Sequence, residues 1–373
     1  MKIRLSNPLK NKIVVFDSEG ADILKVNILY DVDFTILHTR KDVFYLSVNI
    51  LLLSIKNLSL FSFKELLLCK NFFGQLYRIY LYSCIEYIKP AKVITFIDNS
   101  VLFQWVAHNY KNCDFYAIQN GRRVQSSVSN WLPEPPRAGS VIFIPNFFCF
   151  GEHEKDLYTK YNHEIGRFFT VGSLRSNYYR RHLSSDKNIY FDICLVSEWE
   201  PEIFHSDFLP QIKKSLNILN EQLSKYVKEK DLSLCIALRS DDILEEGYYR
   251  AIYGTSVHII KNDRAKMSTY SSMEKSQIIV SSVSTCGIEA FGWNKKVLMC
   301  NFSDDPNFDM QEGLWFIKDS QYDAFEKQME KLRNLSEQDY LNLSAKYAKY
   351  LMEYNNGEAQ DLIRKELFKE AIG

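Results

Sequence analysis

The sequence has no excess charge of either sign, since its 46 Lys and Arg residues equal its 46 Asp and Glu residues. A balanced chain has no global field that attracts nucleic acid or an anionic membrane non-specifically. The seven histidines also lack the HxxxH and HExxH spacings of zinc hydrolases. We therefore expect no nucleic-acid partner, and any charged ligand must be recognised by local groups.

Long apolar runs are missing as well. Residues 1–16 contain no continuous apolar core of a signal peptide, and no cleavage site of small residues follows them. The most apolar window, residues 48–63, is interrupted by polar residues and falls short of the about 20 residues that a membrane span needs. We expect no transmembrane helix and a cytoplasmic location, with peripheral contact to the inner-membrane face left open.

Cysteine pairs at metal or redox spacing are absent too. Several of the eight cysteines stand inside apolar runs, and none forms a CxxC pair. This distribution predicts reduced thiols in the core rather than disulfides or zinc ligands. The cysteines are Cys69, Cys84, Cys113, Cys149, Cys194, Cys235, Cys286 and Cys300.

What the chain does contain is an alternation of strand and helix patterns. With 373 residues and about 150 residues per domain, the length predicts two domains, which we place at residues 1–180 and 181–373 with a basic linker at residues 175–187. The alternation predicts a parallel, doubly wound sheet with its ligand crevice at the carboxyl ends of the strands. The expected strands include residues 12–16, 26–30, 34–38, 92–97, 115–118, 190–196 and 232–238, and a long helix is expected over residues 62–88.

Residues 277–301 hold the unit around which the rest is organised. Residues 278–280 predict a buried strand, a turn rich in Ser and Thr follows, and residues 288–293 begin a helix. Such a turn places backbone N–H groups and hydroxyls at a helix N-terminus, where the helix dipole favours an anion such as phosphate. Glu289, early in the helix, would accept hydrogen bonds from a ribose diol. The alternative is a plain crossover whose Ser and Thr only cap the helix.

Five motifs, in order along residues 10–305, resemble those of bacterial surface-carbohydrate biosynthesis proteins, a group that includes relatives of the retaining β-Kdo transferases of capsule and O-antigen assembly. The motifs are KPAKVITFIDNS (residues 89–100), FYAIQNGRR (115–123), FGEHEKDLY (150–158), FFTVGSLRSNYY (168–179) and SSVSTCGIEAFGWNKKVL (281–298). The resemblance implies a GT-B-like α/β fold, with two Rossmann-like domains facing a central cleft. It also implies a glycosyltransferase that moves a sugar from a nucleotide donor, CMP-Kdo for the Kdo branch, to a surface polysaccharide such as lipopolysaccharide O-antigen or its lipid-linked precursor.

Under this resemblance the strand-end residues acquire roles. Ser284, Thr285 and Gly287 would hold the donor phosphate and Glu289 the ribose. The polar groups after two N-terminal strands would face the acceptor, although capping of the following helices is an equal alternative. These acceptor-side residues are Asp98, Asn99, Gln119, Asn120 and Arg122.

A retaining transfer by double displacement requires a carboxylate nucleophile and a second group that moves protons. Asp241 and Asp242 follow a predicted strand beside Arg239, whose charge would keep a carboxylate ionised and would attract an acidic sugar. Glu152, next to His153, would act as acid and base from the opposite domain. The alternatives are a solvated turn at Asp241 and Asp242 and a favourable first-turn charge at Glu152.

Two further readings of the same fold remain open. A sugar-nucleotide epimerase would turn over the donor without an acceptor, and a non-catalytic binding protein of the pathway would bind nucleotide without forming product. We expect no metal cofactor, because the acidic pair Asp31 and Asp33 separates two predicted strands and matches a DxD motif only by chance.

Overall fold

Two six-stranded, fully parallel sheets, each flanked by helices, form two α/β domains. The computed structural model describes residues 2–40, 42–60, 72–124, 128, 141–184, 188–200, 210–353 and 358–369. All-parallel sheets need cover on both faces, and inner strands such as Ile13–Phe16 and Leu234–Ala237 accordingly read as runs of buried apolar residues rather than as alternating patterns. The prediction of two Rossmann-like domains is confirmed.

The N-terminal sheet has the strand order β3-β2-β5-β6-β7-β8. Its strands are β2 (Ile13–Phe16), β3 (Phe34–Leu37), β5 (Lys92–Thr95), β6 (Asp114–Ile118), β7 (Phe143–Cys149) and β8 (Glu164–Thr170), and β1 (Lys2–Arg4) pairs separately with β4 (Val43–Tyr45). The helices of this half are α1 (Ala21–Asn27), α2 (Val48–Lys56), α3 (Phe72–Ile88), α4 (Val101–Asn109) and α5 (Glu152–Lys160).

The C-terminal sheet has the strand order β11-β10-β9-β12-β13-β14. Its strands are β9 (Phe191–Val196), β10 (Leu234–Ala237), β11 (His258–Ile260), β12 (Ser276–Ser281), β13 (Lys296–Cys300) and β14 (Phe316–Ile317). The remaining helices are α6 (Leu174–His182), α7 (Pro210–Glu229), α8 (Ile243–Tyr253), α9 (Ser268–Glu274), α10 (Thr285–Gly292), α11 (Tyr322–Asn334), α12 (Glu337–Leu351) and α13 (Ala359–Leu367). Short 3-10 helices cover Asn57–Leu60 and Pro306–Phe308.

Each sheet has one point at which the winding reverses. The chain moves from β2 outward to β3 and then returns to the other side of β2 with β5, so one reversal lies between β2 and β5. In the second sheet the chain runs from β9 to β10 and β11 before β12 pairs with the free side of β9. Ligands of doubly wound sheets bind outside the carboxyl ends of the strands at such points.

Two helices cross between the domains. Tyr179 of α6 joins the core of the C-terminal domain, where its ring stacks on Tyr270 and Trp293. Near the end of the chain, Ile363 and Leu367 of α13 pack into the core of the N-terminal domain. The predicted linker therefore contains a helix, and the boundary at residue 180 stays a prediction.

The two crossings of the chain meet at one backbone group. The N–H groups of Gly172 and Glu353 donate to the same Phe150 carbonyl oxygen, over 3.1 and 2.7 Å. Gly172 has φ +74°, and a Cβ at this position would lie 1.9 Å from the Glu353 carbonyl oxygen. Glycine is therefore required where the outgoing and returning segments touch.

Several sequence predictions about elements need correction. Residues 26–30 form no strand, because Ala21–Asn27 is a helix whose Leu24 packs into the core. The expected helix over residues 62–88 is described only as Phe72–Ile88, since residues 61–71 lie outside the described ranges.

Cys84, Cys149, Cys194, Cys235 and Cys300 are buried as predicted, and Cys69 lies outside the described residues. No helix in the described part of the chain combines the length and apolarity of a membrane span.

Candidate functional site

The two domains meet at the carboxyl ends of their strands. The backbone N–H of Arg122, after β6, donates to Thr285 Oγ1 at the start of α10 over 2.9 Å. Ser173, which caps α6, donates its hydroxyl to Glu289 in the middle of α10. Helix α10, from the unit singled out in the sequence, thus forms one wall of the cleft between the domains.

A cavity of about 280 Å³ opens beside this contact and draws its walls from both domains. Its volume lies near the lower end of the range for small-molecule sites, roughly 300–1,000 Å³. Arg122, His153 and Glu154 contribute charged and polar groups from the N-terminal side. The other lining residues are Arg123, Val124, Phe150, Asp156, Leu157, Lys160, Ile288, Pro306, Asn307, Asp309, Tyr347, Tyr350 and Leu351.

The turn before α10 is occupied by a protein carboxylate. Glu198, after β9, accepts hydrogen bonds from the N–H groups of Ser282, Val283 and Ser284 over 2.8–3.1 Å. It also accepts the Ser281 hydroxyl over 2.8 Å, and its burial raises the pKa of its carboxyl group. The expectation that this turn offers free N–H groups to a phosphate is therefore wrong for these three amides. Glu198 and the turn lie at the winding reversal between β9 and β12.

Glu289, predicted to bind ribose, lies buried in the interface between the domains. One carboxylate oxygen accepts Ser173 Oγ and the other accepts Tyr270 Oη over 2.9 Å, while burial raises the pKa of the carboxyl group. Arg175 lies close enough to counteract that rise electrostatically, and its guanidinium lies 5.0 Å from the centre of the Phe96 ring. The buried Nε of Arg175 has no hydrogen-bond partner among the described residues. The ribose role of Glu289 stays a prediction.

Thr285 and Arg122 form the part of the predicted site that remains available. Thr285 Oγ1 accepts the Arg122 N–H, so the hydroxyl hydrogen points elsewhere, and no acceptor for it appears within the described ranges. Arg122 Nη1 is buried and likewise has no partner in the part of the chain that the structure describes. Burial lowers the pKa of Arg122, while Tyr347, Glu198 and Glu154 act electrostatically in the opposite direction. An arginine at ordinary pH stays charged nevertheless. Ser284 caps α10 by accepting the Cys286 N–H over 3.2 Å.

Gly287 allows α10 to approach the sheet closely. A Cβ at Gly287 would lie 2.7 Å from Met299 Sδ and 3.0 Å from Ser281. Its place in the fold therefore explains the glycine through packing, and a direct contact with donor phosphate stays a prediction.

The acceptor-side residues form a buried hydrogen-bond network rather than an open rim. Asp98 is fully buried and accepts Arg123 Nε and Nη2 over 2.8 and 2.5 Å in a bidentate ion pair. Asn120 contributes its N–H to Asp98 over 3.2 Å and its side-chain oxygen to Arg123 over 2.9 Å. Asn99 is half-buried beside this network. The network holds the 119–123 loop that presents Arg122 to α10.

A second acid replaces Glu152 in the cavity wall. Glu152 is half-exposed and pairs with Lys155 over 3.2 Å, which is the first-turn charge considered as its alternative. Glu154 is buried, accepts Gln119 Nε2 over 3.0 Å and the Gly151 N–H over 3.1 Å, and lines the cavity. Burial raises the pKa of Glu154, so its carboxyl group keeps its proton to higher pH than an exposed glutamate does.

Asp241, Asp242 and Arg239 lie outside the cavity wall. Asp242 caps α8 by accepting the Leu244 N–H over 2.8 Å, and Asp241 is exposed. Arg239 pairs with Glu200 and is about half exposed. Among the described residues that line the cavity, none of the three appears. The nucleophile and donor-binding roles assigned to them stay predictions.

Sequence reasoning missed three groups at this site. Glu198 follows β9 in the same way that Asp98 follows β5, so the strand-end rule that selected Asp98 could have found it. Glu154 stands three residues after Gly151, the position from which a helix glutamate bonds back to the chain. No sequence pattern distinguished Arg123 from the neighbouring Arg122 as a residue of the site. The described residues contain no cluster of three or more His, Cys, Asp or Glu side chains that could hold a metal ion.

Comparisons with known proteins agree with this architecture. A family model described as "putative O-antigen biosynthesis protein" matches residues 116–369. No curated protein matches the chain. Among solved structures, UDP-GlcNAc 2-epimerase from Neisseria meningitidis bound to UDP-GlcNAc is 16% identical with a TM-score of 0.53, covering 99% of this chain and 100% of that chain.

Two further solved structures are similar over nearly the whole chain. The Methanocaldococcus jannaschii UDP-GlcNAc 2-epimerase in complex with UDP-GlcNAc and UDP is 12% identical with a TM-score of 0.54, covering 99% of this chain and 100% of that chain. The wall teichoic acid polymerase TagF is 11% identical with a TM-score of 0.52, covering 97% of this chain and 89% of that chain. At such identities the likeness establishes the fold alone, and the predicted GT-B-like architecture is confirmed.

Proposed function

We propose, because this chain belongs to the family of O-antigen biosynthesis proteins matched over residues 116–369, that its interdomain cleft binds a nucleotide-activated sugar. The protein then transfers this sugar to a surface glycan or its lipid-linked precursor. One observation carries the proposal. Arg122 lines the cavity and has a buried Nη1 without a described partner, while the backbone N–H of the same residue donates to Thr285 at the start of α10.

This arrangement favours an anionic group at one spot. The N-terminus of α10 carries the positive end of the helix dipole, and Arg122 adds a full charge together with an unused donor. The Thr285 hydroxyl has a hydrogen to give, because its oxygen already accepts the Arg122 N–H. A phosphate of a nucleotide sugar supplies the acceptor oxygens for all three groups. Because Glu198 accepts hydrogen bonds from the amides of the turn, this anion site offers fewer donors than the one expected from the sequence.

An acidic sugar would suit Arg175, which lies near the interface between the domains and is not among the described residues that line the cavity. Arg175 carries a buried Nε–H without a described partner near Glu289 and Cys286. A donor with a sugar carboxylate as well as a phosphate would provide acceptors for both arginines. For this reason, and because of the resemblance to the Kdo branch, CMP-Kdo is the first donor to test.

Glu154 takes the proposed place of Glu152 as the group that moves protons. Its carboxyl group lies in the cavity wall and holds its proton to raised pH, which suits a general acid. His153, on the same helix, lines the same cavity and meets the Tyr350 ring edge to face, with the ring centres 5.7 Å apart. For the nucleophile, Asp241 or Asp242 remains the hypothesis, and trapping of a sugar adduct followed by mass spectrometry identifies the residue.

A ligand screen tests the binding step. Thermal unfolding is measured with CMP, UDP, GDP and CDP and with CMP-Kdo, since a ligand at about 100 times its Kd stabilises the native state by about 2.7 kcal/mol. For the ligand that binds, calorimetry compares Arg122→Ala, Thr285→Ala and the exposed control Arg181→Ala, whose partner is Asp361. We expect at least about a tenfold loss of affinity for Arg122→Ala and no change for the control. Equal affinity in all three variants would end the assignment.

Epimerisation of the nucleotide sugar is the second candidate, favoured by the two UDP-GlcNAc 2-epimerases whose full length the chain covers. Incubation with the nucleotide sugar alone separates the candidates, because an epimerase forms product without an acceptor and a transferase does not. Binding without product under every donor and acceptor pair would identify a non-catalytic binding protein. Metal independence is proposed as well, and loss of activity with a chelator that Mg²⁺ or Mn²⁺ restores would overturn it.

A further inference from the structure

Helix α2 (Val48–Lys56) presents aliphatic side chains to the outside of the N-terminal domain. Val48, Leu51, Leu52 and Ile55 are between 57% and 72% exposed, whereas Ile50 on the inner side is buried. The spacing of these four residues, i, i+3, i+4 and i+7, places them on one face of the helix. A surface helix ordinarily turns polar residues outward, so this helix has apolar groups on both its inner and its outer side.

The chain on the N-terminal side of α2 extends the exposed surface. Strand β1 runs parallel to β4, and the Leu46 N–H donates to the Arg4 carbonyl over 2.9 Å. This pairing places Leu5, which is 84% exposed, next to the start of α2, and Leu46 itself is about half exposed. We call Leu5, Leu46, Val48, Leu51, Leu52 and Ile55 the apolar face. Contiguous apolar surface of this kind marks an interaction site on a protein.

Basic groups border the apolar face. Lys2, Arg4 and Lys10 are exposed, and none of them forms an ion pair with a carboxylate in the described part of the chain. Arg4 lies beside the Tyr45 ring, with its guanidinium carbon 5.7 Å from the ring centre, and so stays next to Leu46. Lys56, at the far end of α2, is held by Glu86 over 2.7 Å. Asp42, whose carbonyl oxygen accepts the Lys2 N–H, adds an acid beside this border, but its carboxylate pairs with His38 over 2.9 Å. Lys2, Arg4 and Lys10 therefore leave the border with a positive charge that the whole chain lacks.

We propose that the apolar face docks on a lipid bilayer whose surface carries anionic headgroups. The nine residues of α2 are about 14 Å long at 1.5 Å per residue, so the helix lies in the plane of the bilayer surface and does not span it. Aliphatic side chains then enter the boundary between headgroups and acyl chains while the basic border meets the headgroup charge. A second copy of this chain fits less well, because a twofold contact would bring two positive borders together.

Arg180 and Arg181 of α6 differ from the basic border, because both are paired within the protein. Arg181 pairs with Asp361 over 2.8 Å, and Arg180 lies over the Trp293 ring and pairs with Glu274. The docking proposal does not rest on the proposed function, because none of its residues lines the cavity. Failure of nucleotide binding would leave it standing, and loss of vesicle binding would leave nucleotide binding unaffected.

Vesicle flotation of the full chain tests the proposal. The wild-type protein is mixed with vesicles of phosphatidylglycerol and phosphatidylcholine in equal amounts, or of phosphatidylcholine alone. The test variant is Leu51→Gln/Leu52→Gln/Ile55→Gln, and the control is Ile243→Gln/Leu244→Gln, which replaces two similarly exposed aliphatic residues of the other domain. We expect binding to the mixed vesicles to fall about tenfold in the test variant and to stay at the wild-type level in the control.

A charge variant separates the two parts of the proposed contact. Arg4→Gln/Lys10→Gln is expected to weaken binding to the mixed vesicles several-fold, as added salt does, without changing the weaker binding to phosphatidylcholine. Circular dichroism and thermal unfolding verify that every variant folds. Three results would overturn the proposal: no flotation of the wild type, equal flotation of the test variant, or a dimer in sedimentation velocity that the test variant dissolves while vesicles bind nothing.

Discussion

At the scale of single residues, the hydrogen bonds of the buried carboxylates determine which polar groups of the site remain available to a ligand. Glu198 takes three amides of the turn before α10, while Glu289 takes a serine and a tyrosine hydroxyl. Asp98 takes both donors of the Arg123 fork. These carboxylates are engaged within the protein, whereas Arg122 Nη1 has no described partner and remains a donor for a ligand. Such a donor suits the acceptor atoms that phosphate and carboxylate provide.

Glu198→Ala is predicted to destabilise the protein by roughly 3 kcal/mol. The change leaves three buried backbone N–H groups of the turn without a hydrogen-bond acceptor, and each such group costs about 1–3 kcal/mol. Urea unfolding measures the loss. The half-exposed Glu152→Ala is the matched control and should change the free energy of unfolding by less than about 0.5 kcal/mol. A loss below 1 kcal/mol for Glu198→Ala would mean that water satisfies the turn equally well.

The raised pKa of Glu154 predicts two pH effects of the same sign. A folded-state pKa above the unfolded value favours the protonated folded state, so the free energy of unfolding falls as pH rises through the folded-state pKa of this carboxyl group. If Glu154 is the general acid, turnover also falls over that range. Glu154→Gln should flatten the pH dependence of stability and lower turnover by about a hundredfold, with Glu152→Gln close to wild type. An unchanged pH profile of stability in Glu154→Gln would contradict the assignment.

At the scale of elements, α13 acts as a part of the domain that lies far from it in sequence. Its Ile363 and Leu367 are fully buried against β2 and β5 residues, and Arg364 binds Asp31 through two nitrogens over 2.8–2.9 Å. The apolar contacts outweigh the ion pair, since exposed pairs contribute roughly 0–1 kcal/mol and a buried isoleucine several times more.

Ile363→Ala is expected to lower the free energy of unfolding by about 3 kcal/mol, the usual cost of a buried isoleucine truncation with its cavity. The neighbouring Leu362→Ala is the control, because its side chain is exposed on the same helix and should cost under about 1 kcal/mol. Chemical denaturation compares the two. Similar losses for both variants would show that α13 contributes through helix propensity rather than through packing.

Elements of this kind show how far the sequence leads. Buried aliphatic runs at residues 13–16 and 278–280 predicted central strands correctly, because parallel strands covered on both faces need such runs. The partly apolar run at residues 26–30 instead covers the end of helix Ala21–Asn27 and the residues after it. Single-sequence periodicity cannot distinguish a strand from a helix over so short an apolar stretch. At the site, the sequence singled out the 119–123 loop and the turn at 281–285, and their roles in binding stay predictions. Their contact with each other was not predicted, since a hydrogen bond across 163 residues, as between Arg122 and Thr285, leaves no local signal.

At the scale of the whole molecule, the two domains are joined by hydrogen bonds across the cleft and by two chain crossings that share the Phe150 carbonyl. At these crossings Gly172 has a positive φ and lies directly against the Glu353 carbonyl.

Gly172→Ala should destabilise the protein by more than about 2 kcal/mol, because alanine is strained at φ +74° and its Cβ would lie 1.9 Å from the Glu353 carbonyl oxygen. Gly247→Ala provides the contrast, since nothing lies within 4 Å of an added Cβ there and alanine favours the helix interior. Differential scanning fluorimetry should give a lower Tm for the first variant and an equal or higher Tm for the second. Equal melting temperatures would mean that the backbone at the crossing adjusts to the added Cβ without loss of stability.

The position of α13 also fixes an order of events during synthesis. Domains generally form in sequence as the ribosome makes them, with the N-terminal one first. In this chain the N-terminal core lacks three of its apolar groups, Ala359, Ile363 and Leu367, until the strands of the C-terminal sheet have been synthesised. The N-terminal domain therefore stays incomplete while the C-terminal sheet is made, and it gains these groups only afterwards.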